Sequence, residues 1–170
     1  MDRSNLLKVI FLDIDGVLNT ERYVIEQYKK TGKPHSTHHS EFDPICMENL
    51  KDFIKQTDAY IVISSSWRLG NHKTDKGWKT LINRFNTYGL LDRIIGCTPC
   101  LDDQYKDMCC RGHEIQKWLD DNKNIDNFVI IDDDRDMFHL ISKLAKCNFK
   151  DGFSDKVKQK ALEIINKIRV

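Results

Sequence analysis

The sequence predicts an α/β fold of the Rossmann-like, three-layer kind: a central, mainly parallel sheet with helices on both faces. Two observations predict it. Short apolar runs of strand length, at residues 9–12, 60–63 and 128–131, each end in a cluster of polar side chains. Between them lie segments whose apolar residues recur at helical spacing, and alternation of this kind builds a parallel sheet buried on both sides.

Taken in order, Val9-Ile10-Phe11-Leu12 reads as a buried strand, and Gly16 allows a sharp turn soon after it. Residues 20–43 read as an excursion, a short flap or loop insertion of roughly twenty residues that is more than a turn and less than a cap domain. Its histidines, His35, His38 and His39, are solvated in one reading and approach the site mouth or a metal in the other. Asp43-Pro44 opens a helix with Ile45, Leu50, Phe53 and Ile54 on its inner face. After the strand at 60–63, Trp78, Leu81, Ile82 and Phe85 mark a second helix. The stretch 91–96 reads as a strand. Ile115, Trp118 and Leu119 mark a third helix ahead of the strand at 128–131, and Met137, Leu140, Ile141 and Leu144 mark another. Ser154 caps a last helix striped by Val157, Ala161, Ile164, Ile165 and Ile168.

Length and composition bound the function. The 170 residues fit a single domain spanning the whole chain, 40% hydrophobic and long enough to bury a core. A net charge of +1 excludes a global polycationic surface. The first residues lack a signal-peptide pattern and no apolar run reaches membrane-spanning length, so a soluble cytoplasmic protein with no membrane partner is expected. The six cysteines fit reduced thiols. Cys97 and Cys100, with Cys109, Cys110 and His113, imitate a zinc site, but their spacing is too short for the usual paired motifs. Oligomeric state has no signature in the sequence.

The chemistry gathers at the strand ends. Asp13 and Asp15 leave the first strand together, and residues i and i+2 of a strand share a face. Open α/β sheets place ligands at that end. Like charges this close call for a cation or a shared proton. The second strand delivers Ser64-Ser65-Ser66-Trp67-Arg68, the third Asp132-Asp133-Asp134-Arg135-Asp136. Acid, hydroxyl and acid on three strands suit phosphoryl transfer, in which negative charge spreads over equatorial oxygens and cations must neutralise the encounter with an anionic nucleophile.

The order Asp-x-Asp-Gly-Val, strand-Ser, basic residue, strand-Asp-Asp resembles the haloacid dehalogenase-like (HAD) superfamily, mostly Mg²⁺-dependent phosphohydrolases. The Ile-Ser-Ser-Ser-Trp-Arg stretch and the Ile-Asp-Asp-Asp block look more narrowly like the HAD domain of Swiss army knife RNA-repair proteins. The resemblance implies a HAD-like fold with a minimal cap and an aspartyl-phosphate mechanism. Asp13 would be the nucleophile and Asp15 the general acid, then base. Ser64 would bind a phosphoryl oxygen. Asp133 would complete a Mg²⁺ site with Asp13 and the Asp15 carbonyl, and Asp132 would support the metal through its waters; where the strand stops decides between the two aspartates. The third-motif base is Arg111 or Lys106, with Arg111 preferred although relatives usually carry lysine.

Substrate features are read beside their plainer alternatives. Ser65, Trp67 and Arg68 would bind substrate, the indole stacking on a base and the guanidinium holding a phosphate; alternatively Trp67 packs under a helix and Arg68 pairs with an acid. Lys73, Lys76, Lys79 and Arg84 are a basic run or a solvated helix face. An open site favours a phosphorylated nucleotide or a polynucleotide end. A general small-molecule or phosphoprotein phosphatase, or a weakly active regulatory or nucleic-acid-binding module, are the alternatives.

Overall fold

The structure is a computed structural model that describes residues 6–33, 41–70, 76–101 and 111–167. Lys73, Lys106, Cys109, Cys110, Ile168 and the three histidines of the excursion lie outside the described residues.

Strands β1 (Leu7–Leu12), β2 (Tyr60–Ile63), β3 (Ile94–Cys97), β4 (Ile125–Asp132) and β5 (Leu144–Lys146) form one sheet in the order β3-β2-β1-β4-β5. Every described pairing is parallel. β1 lies at the centre because its apolar run is buried on both faces: Ile10 and Leu12 join a core with Ile61, Ile63, Val129 and Ile131, whereas Val9 and Phe11 face Val62, Phe128 and Ile130 on the other side. The first layer is closed by α2 (Pro44–Thr57), α3 (Lys76–Thr87) and α5 (Asp155–Ile165), the second by α4 (Arg111–Asp121). Trp118 on α4 meets Phe11 edge-on at 5.4 Å.

Four differences from the sequence reading have local causes. Residues Glu21–Thr31 of the excursion form helix α1, started by the Thr20 hydroxyl, which accepts from the Tyr23 N–H at 3.1 Å. In α2 the buried face runs through Cys46, Met47, Leu50, Phe53 and Ile54, and Ile45 points to solvent. The proline at the first helical position, with Asp43 capping the Ile45 N–H at 3.0 Å, sets that rotation. The segment after β4 is a 3₁₀ turn, Phe138–Lys143, that runs straight into β5, so Leu144 belongs to a strand. Only residues 94–97 of the stretch around 91–96 are strand, the preceding three forming a 3₁₀ turn.

Backbone hydrogen bonds continue past the strand ends. The N–H groups of Asp13, Ser64 and Thr98 donate to the carbonyls of Ile131, Leu12 and Ile63 at 2.8–3.0 Å. The carboxyl ends of β1, β2 and β4 therefore stand side by side, with the strand order reversing between β1 and β4, where open α/β sheets open a crevice.

Candidate active site

Asp13, Asp132 and Asp133 meet at this edge, with one carboxylate oxygen from each lying within 4.8 Å of the others. β1 delivers Asp13 and β4 ends on Asp132, so one more residue of chain brings Asp133 round. Gly16 makes the close approach possible: its φ is +71°, and a Cβ there would overlap the Asp133 carboxylate and stand 2.8 Å from the Phe149 ring. The Ile14 carbonyl accepts from the N–H groups of Val17, Leu18 and Asn19, which folds the loop tightly over the strand end.

Burial is the main electrostatic fact. It pushes the Asp13 carboxyl up to about 6, against the lowering effect of Arg111 and of a hydrogen bond from Ser65. It pushes Asp132 up to about 8, with the Asp13 charge adding to the rise. Asp133 is raised too, first by burial. Two buried carboxylates and a half-buried third, all resisting ionisation, fit a hard divalent cation, which prefers oxygen ligands and offsets their repulsion.

Arg111 is the cation already in place. Its Nη1 lies 3.6 Å from Asp13 Oδ1 and its Nε 3.4 Å from Asp132 Oδ2, while Nη1 also donates to the Ser64 carbonyl. It begins α4, and Gly112 lets that helix start against the Met137 backbone, where a Cβ would collide. The Ser64 hydroxyl is fully buried beside this centre and finds no hydrogen-bond partner among the described residues. A buried hydroxyl left so is an acceptor-donor held ready for a ligand oxygen.

Asp15 is near but separate. Its carboxylate lies outside the acidic cluster, Oδ1 accepting from Asn19 Nδ2 at 3.0 Å and Oδ2 from Trp67 Nε1 at 2.9 Å. Trp67 is half-buried and packs against the core.

Arg68 corrects the sequence expectation of a substrate phosphate contact. It is only 8% exposed, its guanidinium pairs with Glu114, and its N–H groups donate to the carbonyls of Ser65 (2.7 Å) and Thr98 (3.1 Å). Nothing in a linear pattern distinguishes such an arginine from an exposed one, because the acid it meets is 46 residues away. Arg84 likewise turns inward from the basic run, its guanidinium 5.2 Å from the Phe42 ring and 5.6 Å from Trp67, whereas Lys76 and Lys79 stay exposed.

Three residues escaped the sequence reading. Asn19 follows Asp15 by four positions in an otherwise apolar run, a signal in retrospect. Glu114 looks like an ordinary first-turn helix acid. Phe149, 44% exposed, lies against the Gly16 and Asp133 loop and carries no motif at all.

No curated protein matches the chain. A solved haloacid dehalogenase-like family hydrolase from Streptococcus pneumoniae is similar with a TM-score of 0.43 at 9% identity, over 93% of this chain and 91% of that one. Residues 9–157 match the family described as the HAD domain in Swiss Army Knife RNA repair proteins, a span that takes in all five strands from Val9 onward and every residue of the site. The chain belongs to that family of HAD domains.

Proposed function

We propose that this HAD-type hydrolase is a Mg²⁺-dependent phosphomonoesterase acting through an aspartyl-phosphate on Asp13. The observation that carries the reading is the convergence of Asp13, Asp132 and Asp133 around one point, with Arg111 and the unpartnered Ser64 hydroxyl beside it. Asp13, Asp133 and the Asp15 carbonyl would hold Mg²⁺, with Asp132 in support, and the ion when bound would supply charge neutralisation for the phosphate. An Asp13 oxygen attacks phosphorus as the bond to the leaving oxygen breaks, and Asp15 gives that oxygen a proton. Asp15 then takes a proton from the water that attacks the phosphorus, releasing phosphate and restoring Asp13. Arg111 and Ser64 bind the equatorial oxygens.

Between the two adjacent aspartates, Asp133 is the direct ligand in this reading. Asp132 is the deeper of the two, 1% exposed, with Oδ1 accepting from the Asp134 N–H at 2.8 Å and Oδ2 3.4 Å from Arg111 Nε without a hydrogen bond among the described residues, whereas the half-buried Asp133 stands nearer the open edge. Asp133→Ala is expected to raise the Mg²⁺ concentration for half-maximal rate by about 100-fold, and Asp132→Ala by about tenfold. A Mg²⁺ titration of the rate checks the ranking, and the reverse order would make Asp132 the ligand.

For substrate we favour a nucleotide or a polynucleotide terminal phosphate, met in the cytoplasm. The family's occurrence in RNA repair proteins supports it, as does the exposed Phe149 ring beside Asp133, with Lys146 and Lys150 exposed nearby in sequence. An exposed aromatic ring with basic residues close by in the chain suits a base and its backbone. The test is phosphate release across nucleotides, sugar phosphates and 3′- or 5′-phosphorylated oligonucleotides. Phe149→Ala is expected to lower kcat/KM on the preferred oligonucleotide by about 10–100-fold, the worth of one stacked base, and to affect an aryl phosphate far less. Preference for sugar phosphates, or equal losses on both substrates, would overturn the nucleic-acid reading and leave the phosphatase reading standing.

A further inference from the structure

Asp15 does not sit freely at the mouth. Its two oxygens accept from two side chains on different segments, Asn19 within its own loop and Trp67 from the 3₁₀ turn (Ser66–Gly70) after β2. The Asn19 side is braced by the backbone, since the Gly16 N–H donates to the Asn19 carbonyl at 2.9 Å. The Trp67 side is braced by α3. Arg84, 8% exposed, lays its guanidinium over the indole at 5.6 Å and over Phe42 at 5.2 Å, and Glu41 pairs with its Nε at 3.6 Å. An indole N–H only donates, so its orientation decides where its acceptor stands.

We propose that Trp67 is a positioning residue for Asp15: its indole N–H sets the direction of the carboxylate, and Arg84 sets the indole. The proposal rests on the phosphatase reading, in which Asp15 serves the leaving oxygen. Proton transfer needs heavy atoms within hydrogen-bond reach, and an aspartate on a turning loop has several staggered alternatives. Anchoring the carboxylate from a second element removes them. The half-buried indole beside the Ser motif thus acts on the reaction without touching substrate, which separates it from the base-stacking role expected from sequence.

Trp67→Phe removes the N–H and keeps a ring for Arg84 and the core. Rates with Mg²⁺ are measured for wild type, Trp67→Phe, Arg84→Met and Asp15→Asn on glycerol 2-phosphate, whose leaving group needs a proton, and on p-nitrophenyl phosphate, whose leaving group does not. The ratio of alkyl to aryl kcat is expected to fall about tenfold in Trp67→Phe, less in Arg84→Met and most in Asp15→Asn, with KM nearly constant. A purely structural role would lower both rates together and leave the ratio where it was, which overturns the proposal. An unchanged ratio in Asp15→Asn would remove the acid assignment, and the proposal with it. Independently of turnover, the indole N–H signals of the three tryptophans can be followed by ¹⁵N NMR. One of them is expected to move upfield in Asp15→Ala and to be the one missing in Trp67→Phe; if that signal stays in place in Asp15→Ala, the contact is absent in solution and the proposal fails.

Discussion

Asp13→Asn is expected to abolish phosphate release, by about 10³-fold or more, while leaving the metal-free fold at least as stable as wild type. The two effects have one cause. The side chain keeps its shape and loses its charge, so nothing remains to attack phosphorus. In the metal-free protein that same charge is a burden. Carboxyls raised to about 6 at Asp13 and about 8 at Asp132 hold protons that the unfolded chain, near 3.8, has already released. Where the native state binds more protons, stability falls as pH rises, here between about pH 4 and 8. Asp13→Asn deletes one of the two groups and relieves the other, so in a chelator at pH 8 its Tm should exceed that of wild type. Mg²⁺ should reverse the order. At about a hundredfold excess over Kd it is expected to raise the wild-type Tm by about 5–10 °C, and that of the variant much less. Thermal scans at pH 5 and 8, with and without Mg²⁺, check the expectations on stability. An active Asp13→Asn enzyme would sink the covalent mechanism, and a wild-type Tm indifferent to Mg²⁺ would sink the metal centre.

Glu114→Ala is expected to destabilise the protein by about 3–5 kcal/mol, the cost of leaving a buried charge without its partner, or about 10 °C in Tm. The side chains of Arg68 and Glu114 are 7% and 6% exposed, so solvent does little to screen the loss. The pair ties three segments of the site together. Arg68 holds the carbonyls of Ser65 after β2 and Thr98 after β3, while Glu114 lies one turn along α4 from Arg111 and accepts from the Leu101 N–H at 3.4 Å. Activity should therefore fall along with stability, because Ser64, Ser65 and Arg111 lose their common frame. Replacing both partners, as in Arg68→Met with Glu114→Leu, should cost less than Glu114→Ala alone, since no charge is left stranded. Urea unfolding of the three variants gives the comparison. If Glu114→Ala proved as stable as wild type, Arg68 would have another outlet for its charge and the site's frame would lie elsewhere.

The chain order of strands and helices was legible because each is written in contiguous residues. Four-residue apolar runs, a proline behind an aspartate, and i, i+3, i+4 stripes depend on neighbours in sequence, so β1, β2, β4, α2, α3, α4 and α5 could be read directly. So could the meeting of Asp13, Ser64 and Asp132-Asp133, since parallel strands expose all their carboxyl ends on one edge. The short α1 and the 3₁₀ turn after β4 were missed for the complementary reason. The residues of α1 are at best half-buried, leaving no apolar stripe, and the spacing Met137, Leu140, Ile141, Leu144 suits a tight turn entering an edge strand as well as a helix. What tertiary structure alone decided is the destination of each polar side chain. Arg68 and Arg84 are both basic residues in polar stretches, yet one is buried against Glu114 and the other between two aromatic rings. Trp67 faces an aspartate 52 residues earlier. Phe149 lies against Gly16 from far along the chain. Burial patterns repeat with the period of the backbone and can be read along it; the partner of a buried charge or an indole N–H is chosen by packing between elements distant in sequence, and no local pattern carries that information.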